Sequence, residues 1–233
     1  MESLYDKNGL VFWSQEEIEL RHMFEQRLVQ VVTKTLKTAN AAFEMFQVEA
    51  PILTPRALID PGYTDSDIYA FSEEGIALRP ETTMGSYAYA RHLLSTYNQR
   101  KVRMPLCVWQ HGKSLRREQD QVAKNMRLKE FYQLEFQCIY SPETKNDYAR
   151  LIYPAVGEAL GSLLGPVRLE TSDRLPSYSE KTVDVVVDRN NMEICSMSLR
   201  TDFEGAKVLE IAIGTDRCVR CFLEKNETPG ENQ

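Results

Sequence analysis

Leu115-Arg116-Arg117-Glu118 reads as the end of one strand, and after a polar loop the chain returns as Phe131-Tyr132-Gln133-Leu134-Glu135-Phe136-Gln137. Alternation places Phe131, Gln133, Glu135 and Gln137 on one face and Leu128, Tyr132, Leu134, Phe136, Cys138 and Tyr140 on the other. The second set is a core face. The first offers an aromatic ring, two amides and a carboxylate, a set suited to a nucleotide. A later strand repeats the pattern: Val208, Glu210, Ala212 and Gly214 share a face, and Arg217 follows where a helix begins. Guanidinium forks match phosphate oxygens, so Arg116 and Arg217 can grip two parts of a triphosphate. Glu118 can accept from an adenine amino group, and Phe131 can supply the ring on which a base rests. Glu193 and Glu210 can hold magnesium, which takes a few carboxylates plus phosphate oxygens. The plain alternative is a pair of sheet-supporting ion pairs, Arg116 with Glu118 and Arg217 with Glu210, worth about 0–1 kcal/mol each if exposed.

These residues need a scaffold. Ser14-Gln15-Glu16-Glu17 has capping-box spacing, and Leu20, Phe24, Leu28, Val31 and Thr35 follow at helical intervals, which predicts a helix over 15–39. A short strand over 46–49 leads to Pro51, and a turn-rich acidic stretch runs over 55–74. A strand over 76–78 and a helix over 83–97 come next. Strands over 105–110 and 113–118 precede the polar loop, and 128–140 returns. A second long helix runs from Tyr148 to Leu163, with Pro154 expected to kink it or shift its start. Strands over 166–170, 182–188, 192–199 and 207–213 and a helix over 215–225 complete the domain, 1–226. A polar tail, 227–233, follows. Consecutive strands without strand–helix alternation predict an α+β fold around a mostly antiparallel sheet and exclude a Rossmann fold. Neither a Gly-x-Gly-x-x-Gly nor a Gly-Lys-Ser/Thr loop is present, so a nucleotide site here must use side chains.

The 233 residues are 42% hydrophobic, enough for a packed core. A formal net charge of -6 argues against coating nucleic acid by bulk attraction. It leaves room for local basic stretches at Arg100-Lys101-Val102-Arg103 and from Arg116 to Lys129, the latter including Arg127. No run approaches the roughly 18 apolar residues of a membrane helix, and no apolar secretory segment opens the chain, so a cytoplasmic protein is expected. The five cysteines suggest neither a disulfide framework nor a zinc site; Cys107, Cys138 and Cys195 sit in apolar stretches and read as small core residues.

At this point the landmarks resemble a family. The Arg116 hairpin with Glu130-Phe131 resembles motif 2 of class II aminoacyl-tRNA synthetases, Gly214-Thr215-Asp216-Arg217 resembles their motif 3, and helix 15–39 with Pro51 resembles motif 1. Leu78-Arg79-Pro80-Glu81-Thr82 followed by Gly85, Glu130 to Glu135, Ser177-Tyr178-Ser179 before Asp184, and Arg200-Thr201-Asp202-Phe203 look like glycyl-tRNA synthetase. These landmarks occur in order over residues 9–224.

The resemblance implies ATP-dependent formation of an aminoacyl-adenylate, with ATP and Mg2+ as the groups bound, and transfer to the 3′ end of a tRNA. It implies ATP binding by Arg116, Glu118, Arg127, Phe131, Glu210 and Arg217, with Arg116 on the α-phosphate and Arg217 on the γ-phosphate. It implies amino-acid binding by Arg79, Glu81, Gln133, Glu135, Glu193 and Ala212, with glycine as the substrate and carboxylates holding its ammonium. Ala212 stands where the glycyl family has a serine, and Ser177 where it has a histidine; the first removes a hydroxyl beside the ammonium. The anticodon-binding domain that follows motif 3 in glycyl enzymes is not expected here. A homodimer through the motif-1 elements is. Two alternatives stay open: a ligase that passes the amino acid to a carrier-protein thiol, and a noncatalytic paralogue that binds nucleic acid or a partner.

Overall fold

The computed structural model describes residues 8–95, 101–117, 126–173 and 175–226. Helix α1, Gln15–Ala39, begins at the expected capping box: the Ser14 hydroxyl accepts from the Glu17 amide at 3.3 Å and the Glu17 carboxylate accepts from the Ser14 amide at 2.8 Å. Its buried stripe is Arg21, Phe24, Leu28, Val32 and Leu36. Strands β1, Glu44–Gln47, β2, Leu53–Pro55, β3, Ala70–Phe71, and β4, Ile76–Leu78, precede helix α2, Thr83–Leu94. Then come β5, Leu106–Leu115, β6, Glu130–Tyr140, helix α3, Tyr148–Leu164, β7, Val167–Thr171, β8, Ser179–Val187, β9, Met192–Arg200, β10, Lys207–Gly214, and helix α4, Thr215–Asn226.

Seven strands form one sheet in the order β1-β5-β6-β10-β9-β8-β7. Only β1 against β5 is parallel, so the α+β, mostly antiparallel expectation holds. Strands β2, β4 and β3 make a small antiparallel sheet beside it. One face of the large sheet carries the main core: Leu134, Phe136, Cys138, Leu209, Ile211, Ile213 and Met197 pack with Phe24, Leu28, Val32 and Leu36 of α1 and with α3 and α4. Cys107, Cys195, Cys218 and Cys221 are buried in this core. On the other face, Tyr87, Ala90 and Leu93 of α2 cover Leu106, Val108, Ile139 and Val208 at the β1 side. The rest of that face is left for polar side chains. No helix among the described residues is long and apolar enough to cross a membrane.

Two expectations change. The strands placed at 105–110 and 113–118 are one continuous β5, because Gly112 stays in the ladder opposite Gln133. Its missing side chain makes room for Arg79: a Cβ there would lie 2.4 Å from the Arg79 guanidinium. Helix α3 starts where expected and runs through Pro154, which lies on its exposed side. The tail 227–233 lies outside the described residues.

Gly85, in the first turn of α2, faces Ala50, and a Cβ would stand 2.3 Å from the Ala50 Cβ. Gly85→Ala adds up to about 1 kcal/mol of helix propensity, less in a first turn, against about 1–3 kcal/mol of overpacking. We expect net destabilisation, read as a lower urea midpoint at unchanged slope.

Candidate active site

Register turns the polar face into a grid. Along β6 it presents Phe131, Gln133, Glu135 and Gln137, and along β10 Glu210, Ala212 and Gly214. Cross-strand partners extend each row: Glu135 opposes Ala212, which opposes Ser196, which opposes Asp184; Gln137 opposes Glu210, then Ser198 and Thr182. All of these but the fully buried Gln137 line a cavity of about 500 Å3, together with Tyr63, Glu81, Arg116, Arg127, Tyr178, Glu193 and Arg217.

The mouth is cationic and aromatic. Arg116 donates from Nε to the Pro80 carbonyl at 3.0 Å, and its guanidinium lies 5.4 Å from the Phe131 ring centroid and 5.7 Å from that of Tyr63. Arg217, on the first turn of α4, donates to the Glu193 carbonyl at 2.8 Å. Burial lowers the Arg217 pKa; Glu193 opposes that, while Arg127 and Arg116 add to it. Three guanidiniums facing one opening repel one another, and an anion between them would relieve that repulsion.

The floor is acidic. Glu135 is 2% exposed and accepts from Thr82 at 2.5 Å and Thr83 at 3.2 Å. Burial raises its carboxyl to about 8, with Glu210 and Glu81 adding to the rise and Thr82 and Arg200 opposing it. Burial also raises Glu81, against the pull of Arg200. One Glu81 oxygen accepts from the Tyr63 hydroxyl at 3.3 Å, while the other is buried with no hydrogen-bond partner. Glu210 accepts from Arg200 at 2.8 Å, Gln137 at 2.8 Å and Thr83 at 3.0 Å. Arg200 is 1% exposed, also bonds Asp202, and lies 3.9 Å from the Tyr178 ring centroid.

The start of α4 is clamped from behind the sheet. Asp216 accepts from Arg21 of α1 at 3.1 Å and from the Tyr132 amide at 2.8 Å, and the Arg21 guanidinium lies 3.7 Å from the Tyr132 ring centroid. His111 joins Thr215 at 3.0 Å to Glu25 of α1 at 2.9 Å.

Arg116, Arg127, Phe131 and Arg217 thus meet at the mouth, and Glu81, Gln133, Glu135, Glu210 and Ala212 deeper in the same cavity. Glu118 lies outside the described residues. Arg79 is not brought to the cavity wall: its guanidinium is spent on the Ala50 carbonyl at 2.5 Å and the Lys113 carbonyl at 2.8 Å, tying the chain before β2 to β5. Glu193 and Glu210 do not share an ion site. Glu210 opposes Ser198, five residues along β9 from Glu193, roughly 16 Å at strand rise. Glu210 pairs with Arg200 and Arg217 lies by Glu193, so the structure does not show the alternative Arg217–Glu210 ion pair. Among the described residues no group of three or more metal-ligating side chains could hold a metal. Tyr63, Thr83, Thr182 and Ser198 were not singled out from sequence. The Thr182 and Ser198 hydroxyls, 3.0 Å apart, sit on strand faces that alternation alone could have assigned.

No protein-family model and no curated protein matches this sequence. Solved structures share its fold. Prolyl-tRNA synthetase from Cryptosporidium parvum, complexed with halofuginone and AMPPNP, aligns with a TM-score of 0.70 at 15% identity over 94% of this chain and 48% of that one. Cytoplasmic serine-tRNA ligase from Naegleria fowleri, in complex with AMP, gives 0.67 at 17% over 94% and 51%. Prolyl-tRNA synthetase from Giardia lamblia, in complex with prolyl-adenylate, gives 0.70 at 14% over 94% and 49%. The chain spans about half the length of these enzymes, and its fold is that of class II aminoacyl-tRNA synthetase catalytic cores.

Proposed function

We propose that this cavity joins ATP to a small amino acid as an aminoacyl-adenylate. The observation that carries the reading is the polarity of one cavity: guanidiniums and an aromatic ring at the mouth, buried carboxylates in the floor. A nucleoside triphosphate suits the first and an α-ammonium the second. The base rests on Phe131, Arg116 holds the α-phosphate, and Arg217 and Arg127 hold the outer phosphates. The substrate carboxylate attacks the α-phosphorus as the bond to the β-phosphate breaks and pyrophosphate leaves. No enzyme nucleophile is needed; positioning and charge stabilisation do the work. Magnesium offsets phosphate charge when bound. Of the two carboxylates expected to hold it, Glu193, exposed beside Arg217 at the mouth, fits as a ligand shared with phosphate oxygens.

The carboxylate floor accepts the ammonium of glycine, which the sequence resemblance implies, and of other small amino acids. The acceptor we propose is the 3′ end of a tRNA, as in the enzymes whose fold this chain shares, and the working form a homodimer. Amino-acid-dependent ATP–pyrophosphate exchange, run with each of the twenty amino acids and magnesium, tests activation. Exchange with one or a few small amino acids is expected; none, with ATP binding also absent, would leave a noncatalytic binding module.

The Glu135 carboxyl sets a pH dependence. Its folded value of about 8 lies above the ordinary 4.5, so in the empty site it is mostly neutral at pH 7 and ionised above 8. An ammonium needs the ionised form, so KM for the amino acid falls about eight-fold from pH 7 to 8.5 while KM for ATP does not share the change. The same raised value means that Glu135's contribution to the stability of the empty protein is fully present below pH 4.5 and lost as pH rises through 8. A flat amino-acid KM over that range would take Glu135 out of the ammonium site.

A further inference from the structure

Asp184 is 8% exposed and lines the cavity, yet its Oδ1 is fully buried with no hydrogen-bond partner. A buried acceptor left unpaired is destabilising, more so if charged, so its persistence on a cavity wall needs a reason. The grid supplies one. Asp184 ends the row Glu135–Ala212–Ser196–Asp184, whose two middle residues carry the smallest side chains of the row. Three strand steps, roughly 14 Å between backbones, separate the two carboxylate-bearing strands. Between them Ala212 and Ser196 leave a trough. The row nearer the mouth holds Gln133 and Gly214, and Phe131 and Arg217 stand beyond it. Asp184 therefore lies level with the ammonium-binding end of the cavity and one step deeper than the nucleotide end. The next row inward is also polar, with the Thr182 and Ser198 hydroxyls and Glu210. An apolar substituent at the far end of the trough would meet the Asp184 carboxylate and the Thr182 and Ser198 hydroxyls.

Building on the adenylate reading, we propose that Asp184 accepts a hydrogen bond from the side chain of the amino acid, so that the substrate is a small α-amino acid whose side chain ends in a hydroxyl or ammonium. The ammonium on Cα sits against Glu135 and Glu81, Cα lies over Ala212, and the side chain follows the trough past Ser196. A site built around a donor rejects the analogue that lacks it, because the buried acceptor is then left unpaired.

ATP–pyrophosphate exchange with paired substrates tests this. Serine is compared with 2-aminobutyrate, homoserine and 2,4-diaminobutyrate with norvaline, and all with glycine and alanine. The intact protein is expected to favour at least one donor-bearing substrate over its donorless counterpart and over glycine by tenfold or more in kcat/KM. Asp184→Asn, nearly isosteric, is expected to shrink that ratio to within about threefold without changing KM for ATP. Preference for glycine or alanine in the intact protein overturns the proposal while leaving activation standing. So does an Asp184→Asn variant whose only change is a raised KM for ATP, which assigns the acceptor to the ribose hydroxyls. Exchange with no amino acid at all removes the adenylate reading and this one with it.

Discussion

Arg116→Ala is expected to lose about 100- to 1,000-fold in the rate of adenylate formation while the protein stays folded. The guanidinium is part of the mouth, half-buried against Phe131 and Tyr63, and it donates to the Pro80 carbonyl. Losing that contact costs stability on the scale of a single hydrogen bond, about 1 kcal/mol. Its effect on the reaction is larger because charge builds at the α-phosphorus only in the transition state. The loss therefore falls on kcat more than on KM for ATP. Arg116→Lys recovers only part of it, since a point charge cannot replace a planar fork. Single-turnover adenylate formation with a parallel melting curve separates the effects. Wild-type rates in Arg116→Ala would sink the assignment.

Arg200→Met produces the largest stability loss, about 3–5 kcal/mol, or a melting temperature lower by roughly 6–20 °C for a domain of this size. The arginine is 1% exposed between Glu210, Asp202 and the Tyr178 ring. Burial alone would lower its pKa, but Glu210 and Asp202 outweigh that and raise it. Without the cation, Glu210 keeps its bonds from Gln137 and Thr83 and loses its counter-charge, in a floor that already holds Glu81 and Glu135. Adding Glu210→Gln to Arg200→Met restores part of the loss, because it removes the stranded charge. If the single variant melts as the parent does, the buried pair is not what holds this floor together.

The hairpin and strand β10 were legible because alternation there is unbroken: Phe131, Gln133 and Glu135 share a face with Glu210 and Ala212 once the two strands pair. Helix α1 was legible through its capping box and apolar stripe. What sequence hid was long-range. Tyr63 reaches Glu81 from a turn-rich loop with no period to read. Arg79, beside a motif residue in sequence, turns the other way because carbonyls of two other segments converge on it. Glu193 and Glu210, two acids on neighbouring strands, looked like one ion site until register separated them along the sheet. The gap between the strands expected over 105–110 and 113–118 holds Gly112, which is a clearance for an arginine.

At the start of α4, Thr215 is tied to His111 and Asp216 to Arg21 and the Tyr132 amide, while Arg217 stands at the cavity mouth. Successive helical residues are about 100° apart around the axis, so these ties act as a keyway that fixes the rotational phase of the helix. Whether Arg217 meets a phosphate is thus decided as much by α1, on the far side of the sheet, as by α4 itself. A change in the bearing of α1 has a lever on the nucleotide without touching it.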